Sequence, residues 1–523
     1  MSITGLNGHK FFYRAAVFEI FQFPNFSYPG SEIISKNLEK YELAAEISAE
    51  NVGSFQIISQ SVLEADIIVF PEEGLFSTSY ENDTWFISYA EDVPNPKIEH
   101  VNPCDDDKYQ NSPILKRLSC MAKKHEFYVV ADLIDVKKCE VTDGCDENDI
   151  DYCVTDPDEC PEDGYYHFNT LVVFDREGYL ITRYYKTHLY FEEGLNTPKT
   201  IKHEYFTTEF GEFTVGICFD LLFQGFVKSA RNATGLVYPT WWFDHTPLIY
   251  FATSFQQSWS IANKVNILAA DVQYPNFGSL GSGIYTPGNG ALIYTSNPDA
   301  RSKLLISNVP VSPIAIPVDT DLLDQNFYYI DDDYSFQPLV GEEPRDYESE
   351  CGVNVLGTET SSLTDFRCQH TEVNTYTFVT LNESKGHVRV CSNKFCCSLT
   401  YEADSMDESY SFGVSGHRLN FYQTYLFGVQ ACFLARCEPL DGKPCRNYLL
   451  KSDTIFRSVK IEGTFRTRHI YPFAVDNEIR LTDRKEWDFD GESLMLYQNL
   501  NNRSLLSIGL YGRLYRRDKS LNT

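Results

Sequence analysis

Thr214-Val215-Gly216-Ile217-Cys218-Phe219-Asp220 is an apolar, β-branched run that ends on a thiol and a carboxylate, and it predicts a buried strand over Phe213 to Cys218 with the cysteine at its end. The chain holds 15 cysteines, so one is left over after pairing. Six (104, 120, 139, 145, 153, 160) precede Cys218 and eight (351, 368, 391, 396, 397, 432, 437, 445) follow it, both even sets. Clustered, even sets read as a disulfide framework in an oxidising compartment, whereas a lone cysteine closing an apolar strand reads as a thiol kept free. Seven bridges and one free thiol at Cys218 is the simplest accounting.

On the N-terminal side of that strand, Phe12 to Ile20 predicts a buried strand and Ser31 to Asn51 an amphipathic helix with Ser31 as N-cap. Ala65 to Phe70 predicts a second strand, Ser112 to His125 a helix and Phe127 to Ile134 a third strand, the alternation of an α/β fold. Residues 137–164 are rich in Asp and Glu and carry four cysteines, a composition for a surface insertion closed by disulfides rather than for core. Thr170 to Phe174, the turn Asp175-Arg176-Glu177-Gly178 and Tyr179 to Tyr184 predict a hairpin that delivers Lys186 just past its second strand. On the C-terminal side, Gly235 to Pro239 and Asn266 to Val272 predict strands and Pro247 to Lys264 a helix. The alternation fades after about residue 310, which places an α/β unit over 1–315 and a second, mostly β domain over 320–523.

With 43% hydrophobic and 15% aromatic residues the chain has ample core for two or three domains. A formal charge of -30 repels phosphate backbones and anionic membranes, so no nucleic-acid or lipid partner is expected. Sequons at Asn25, Asn82, Asn232, Asn382 and Asn502 point, with the cysteines, to glycosylation and secretion. Met1 to Ile20 shows no basic segment followed by an apolar run, so no signal peptide is read in this numbering. The charged C-terminus offers no lipid-anchor tail, and no run of about 18 apolar residues is present to span a membrane.

Three predicted strands end in residues suited to amide hydrolysis: Ile67-Ile68-Val69-Phe70-Pro71 runs into Glu72, Tyr184-Tyr185 into Lys186, and Gly216-Ile217 into Cys218. A cysteine nucleophile needs a base for its proton, donors or a cation for the oxyanion and an acid for the leaving amine. Neighbouring strands would bring the three ends together, where α/β sheets carry their ligands. Phe70-Pro71-Glu72, Arg183-Tyr184-Tyr185-Lys186-Thr187-His188-Leu189 and Gly216-Ile217-Cys218-Phe219-Asp220 resemble, in order and spacing, the three active-site motifs of the nitrilase superfamily. The fused β-rich domain, the cysteine-rich insertion, Tyr238-Pro239-Thr240-Trp241 and Gly281-Ser282-Gly283-Ile284-Tyr285 look like its vanin and biotinidase branch. The chain departs from the vanin pattern at His188, where Asn is expected, and at Trp242, a second Trp after the first. Both departures leave the triad intact and bear on the shape of the substrate pocket.

The resemblance implies an α-β-β-α sandwich followed by a smaller, mostly β domain. It implies Cys218 as nucleophile, Glu72 as proton acceptor and donor, and Lys186, with the backbone N–H of Phe219, as oxyanion stabiliser. Trp241, Trp242 and Tyr285 would line the acyl pocket, although core packing accounts for such aromatics too. The implied activity is hydrolysis of a linear, non-peptide amide without cofactor or metal: pantetheine first, biotinyl amides as the alternative, and a non-catalytic binding protein as the reading from another class. Taken singly, Cys218 is a small core hydrophobe, Glu72 a strand-end carboxylate interchangeable with Glu73, and Lys186 a solvated lysine; the three together favour function. His188 is read as a structural hydrogen-bonding residue, since neither it nor His245 sits in a cysteine-protease context. Cys391, Cys396 and Cys397, or Cys432, Cys437 and Cys445, lack the spacing of a zinc site.

Overall fold

The computed structural model of the chain describes residues 11–23, 28–49, 64–76, 85–139, 160–313, 317–319, 323–344, 366–370, 373–421, 424–440, 442–497 and 502–521. The strands of its first part are β1 (Phe12–Glu19), β2 (Ile67–Val69), β3 (Tyr128–Lys138), β4 (Tyr165–Phe174), β5 (Leu180–Tyr185), β6 (Tyr205–Thr208), β7 (Gly211–Val215), β8 (Gly235–Pro239), β9 (His245–Thr246), β10 (Asn266–Ala270), β11 (Gly283–Thr286), β12 (Gly290–Tyr294), β13 (Ser302–Pro310), β14 (Asn326–Ile330) and β15 (Phe336–Pro338). The helices are α1 (Gly30–Ala49), α2 (Pro113–His125), α3 (Gln224–Ser229) and α4 (Ala252–Asn263).

The period-2 alternation of β1 explains the layering. Tyr13, Ala15 and Val17 point into a core shared with β7, β8 and β10, while Ala16 and Phe18 point to the opposite side, against Ile34, Leu38 and Tyr41 of α1 and Leu115 and Leu118 of α2. An eight-stranded sheet in the order β15-β14-β13-β1-β2-β3-β4-β5 therefore packs face to face on a six-stranded one, β12-β11-β10-β8-β7-β6, with α1 and α2 outside the first. Helix α4 buries Phe255 and Trp259 against the second sheet, giving the expected α-β-β-α order. β1, β2 and β3 run parallel, as do β7, β8 and β10, and two antiparallel steps through β4 return β5 to the direction of β3. The C-terminal ends of β2, β5, β7, β8 and β10 thus face one edge.

Several expectations shift. Ser31 lies inside α1, which begins after Pro29, whose carbonyl accepts the Glu32 and Ile33 amides. Helix α4 starts at Ala252 rather than Pro247, because Leu248 to Phe251 are turned by Tyr250 N to Pro247 O and Phe251 N to Leu248 O bonds. β3 and β4 pair through Lys138 and Tyr165, so the ladder runs into both ends of the acidic insertion, which Cys139–Cys160 closes; residues 140–159, with Cys145 and Cys153, lie outside the described residues. β14 pairs with β13 and β15 with β14, so the first sheet continues past the 315–320 division read from the sequence.

The C-terminal part is a β-sandwich. Strands Thr377–Leu381, Tyr410–Ser415, Tyr425–Leu440, Leu505–Arg513, Ile470–Asp476 and Arg480–Leu481 form the main path of one sheet; Lys385–Ser392, Phe395–Ala403, Phe456–Gly463, Ser493–Leu496 and Trp487–Phe489 form the other. Along Tyr425–Leu440, Phe427, Val429, Ala431 and Phe433 face the first part of the chain, and Cys432 and Leu434 face the second sheet. Cys397–Cys432 ties the two sheets together, and Cys391–Cys396 and Cys437–Cys445 staple hairpins, so these cysteines are bridged to one another. Cys104–Cys120 is bridged and Cys368 is disulfide-bonded, while Cys218 is the free cysteine among the described residues. No helix among the described residues is long and apolar enough to cross a membrane.

Candidate active site

β7 ends at Val215, and the chain turns through a short helical segment over Cys218–Leu222. Cys218 adopts φ +39°, a conformation that a side chain occupies only where the surroundings impose it. Asp220 does the imposing: fully buried, it accepts Ile217 N at 3.3 Å, Tyr184 Oη at 2.7 Å, Thr187 Oγ1 at 2.9 Å and His188 N at 3.0 Å. His188 also places Nδ1 2.9 Å from Asp220 Oδ1 and stacks on Phe223, which bears out its structural reading. The Tyr238 hydroxyl donates to Cys218 O at 2.8 Å, and the thiol lies 3.5 Å from Trp241 O.

Glu72 follows β2 in a turn where Glu73 has φ +47° and Gly74 passes so close to Tyr41 and Pro71 that a Cβ would collide with both. The pair is not interchangeable. Glu72 Oε1 accepts Lys186 Nζ at 2.5 Å and Asn169 Nδ2 at 2.9 Å, and its Oε2 accepts Trp241 N at 2.8 Å. Glu73 instead anchors the turn, donating its amide to Asp132 Oδ1 at 2.9 Å. Lys186, one residue past β5 and 1% exposed, also contacts Glu192 Oε1. Glu72, Lys186 and Cys218, three strand ends in the sequence, are thus neighbours.

The electrostatics follow from burial. Desolvation, with Glu72 nearby, pushes the Cys218 thiol well above its ordinary range, against the opposing pull of Lys186. Burial disfavours the Lys186 ammonium, but Glu192, Glu72 and Cys218 outweigh it and hold the charge firmly. Burial raises Glu192, Lys186 opposes, and Glu72 adds to the rise. Glu73 and Asp132 are raised strongly, by burial first and then by neighbouring carboxylates. The site therefore holds one fixed cation, carboxyls competing for protons, and a thiol that rests protonated.

Asn169, Glu192 and Asp132 are absent from the sequence expectations. Asn169 and Asp132 were detectable as polar residues inside apolar strands, β4 and β3. Glu192 sits in Phe191-Glu192-Glu193, where nothing distinguishes it from a solvated acid.

Residues 29–273 match the carbon-nitrogen hydrolase family and residues 366–518 the vanin C-terminal domain. Pantetheinase of Mus musculus is 30% identical over 474 residues, covering 89% of this chain and 83% of the relative. Biotinidase of Mus musculus is 30% identical over 525 residues, covering 97% of this chain and 94% of the relative. The chain belongs to the vanin and biotinidase family. An amidase from Nesterenkonia sp. of known structure aligns with TM-score 0.38 and 17% identity, covering 58% of this chain and 92% of that one.

The remaining residues named from the resemblance to the vanin and biotinidase family divide. Trp241 takes part through its backbone, and its ring stacks on Phe243. Phe219 packs among Tyr190, Phe223 and Phe421, the last from the C-terminal part. Trp242 is in the core, stacked on Phe255 with Nε1 donating to Tyr250 O at 2.7 Å, and Tyr285 is fully buried on β11. Packing decided both positions, which aromatic content alone does not reveal. Asn232, Asn382 and Asn502 are exposed, while Asn25 and Asn82 lie outside the described residues. His245 lies on β9 with its ring 5.8 Å from Phe421. A cavity of about 1020 Å³ at the seam between β12, β14 and residues 480–488 is not lined by Cys218, Glu72 or Lys186.

Proposed function

We propose that this carbon-nitrogen hydrolase is a secreted glycoprotein that cleaves pantetheine to pantothenate and cysteamine through a thioester on Cys218. The observation that carries the reading is the Lys186 ammonium held 2.5 Å from Glu72 Oε1, at the strand ends that also carry the free thiol. Relatives named biotinidase match at the same 30% identity as those named pantetheinase, which supports biotinyl amides as the second reading. The disulfides and the exposed sequons support an extracellular site.

In this mechanism Glu72 works through Oε2. Its Oε1 is committed to Lys186 and Asn169, whereas Oε2 accepts the Trp241 N–H, and the carbonyl of the same residue lies 3.5 Å from the thiol. The carboxylate takes the Cys218 proton as sulfur adds to the amide carbon, and Lys186, with the Phe219 N–H, stabilises the oxyanion. The C–N bond breaks as Glu72 returns the proton to the departing amine. Water, deprotonated by Glu72, then adds to the thioester and releases the acid and the Cys218 thiol. Glu192 shares the ammonium with Glu72 and restrains it from forming a closed pair with the base alone.

The test is steady-state hydrolysis of a chromogenic pantothenoyl amide and a biotinyl amide, side by side, by wild type and Cys218→Ala. Faster turnover of the pantothenoyl amide, abolished in the variant, is expected. Faster turnover of the biotinyl amide replaces the first substrate by the second, and turnover of neither by folded protein overturns the proposal.

A further inference from the structure

Asn169 occupies an inward position of β4, between β3 and β5, and is 1% exposed. Its two side-chain N–H groups are divided between carboxylates: one reaches Glu72 Oε1 at 2.9 Å, the other Glu192 Oε2 at 3.1 Å. Its backbone carbonyl accepts Lys186 N at 2.9 Å. Lys186 Nζ bridges the same two carboxylates from the other side, so Glu72, Asn169, Glu192 and Lys186 close a hydrogen-bonded ring. The Asn169 Oδ1, by contrast, is buried without a hydrogen-bond partner. A buried amide kept only for packing would have both ends satisfied; this one leaves its acceptor idle and directs both donors at the site.

We propose that Asn169 is a positioning residue for the hydrolysis, fixing Glu72 and Glu192 on either side of Lys186 so that Glu72 keeps Oε2 turned toward Cys218. This inference rests on the reading of Cys218, Glu72 and Lys186 as the reacting groups. The chemistry asks for this side chain. A neutral amide with two N–H donors on one nitrogen reaches both carboxylates without adding charge beside Lys186; Asp would add a third negative charge, and Ser has a single shorter donor. Without the clamp the carboxylates repel, Lys186 pairs with one of them, and the base rotates off the line to the thiol.

The experiment is the measurement of kcat and KM separately for wild type, Asn169→Ala and Cys218→Ala on the pantothenoyl amide. Thermal midpoints and near-ultraviolet circular dichroism spectra certify the fold. Asn169→Ala is expected to lose about 100-fold in kcat with little change in KM, the scale of a misaligned catalytic group. Should Asn169→Ala fail to fold, Asn169→Ser, which fills more of the space, carries the same comparison. A folded variant with near wild-type kcat, or one whose loss lies in KM alone, overturns the inference while the nucleophile assignment stands. Turnover absent from the wild type, or retained by Cys218→Ala, overturns the reading beneath it.

Discussion

In the proposed mechanism, a thiol that rests protonated makes Cys218 a nucleophile activated on demand. Burial and Glu72 push it up and Lys186 pulls it down, so thiolate in the resting site is scarce at neutral pH. Iodoacetamide alkylation of native protein should therefore accelerate steadily from pH 7 into the alkaline range; a plateau already at pH 7 would show a preformed thiolate instead. Lys186→Gln removes the opposing cation and should move that rise to still higher pH. Glu72→Gln should cost roughly 10²- to 10⁴-fold in kcat, the range for a general acid–base group, measured by steady-state turnover of a folded variant. Which residues were legible follows from their chemistry. Glu72, Lys186 and Cys218 stand out because an apolar run ends on each. Asn169 and Glu192 acquire meaning only once β4 and the loop after β5 are folded onto the same ammonium.

At the scale of elements, apolar periodicity announced the strands and α2, but not what holds their ends. The amides at the start of α2 are capped from a distance by Glu91, which accepts Ile114 N at 2.7 Å and Leu115 N at 2.9 Å, while Ser112 makes no side-chain cap. Burial pushes Glu91 up to about 7 against those two donors. The folded protein then binds a proton between pH 4.5 and 7 that the unfolded chain has released, so the stability from this group is complete below pH 4.5 and is lost as pH rises through 7. The loss amounts to about 3 kcal/mol, and urea midpoints across that window should show it in wild type but not in Glu91→Gln. Cys104–Cys120, with a sequence separation of 16, pins the segment before α2 to the helix; replacing both cysteines by Ser should cost about 3 kcal/mol in the same assay. The evenness of the cysteine count pointed to bridges, whereas their partners depended on which strands became neighbours.

At the scale of the whole molecule, the C-terminal sandwich buries one face against the catalytic layers. Tyr250 and Tyr511 share a hydrogen bond across the seam, and fully buried Arg513 donates to Leu222 O at 2.8 Å, at the end of the Cys218 turn, while pairing with Asp518 at 2.7 Å. Arg513→Ala strands that arrangement and should lower stability by about 3 kcal/mol in a single unfolding transition; two separate transitions would mean that the parts fold independently. The β-rich character of this half was legible from its composition. Its docked face was not, because Phe427, Val429 and Phe433 alternate with equally apolar Cys432 and Leu434. Passage of amide cleavage through sulfur is measurable by rapid-quench mass spectrometry of the protein mixed with pantetheine, followed by peptide mapping. A pantothenoyl adduct on the Cys218 peptide is expected to form and decay within the turnover time and to be absent from Cys218→Ala. Turnover of pantetheine by Cys218→Ala, or an adduct mapped to another residue, would contradict it.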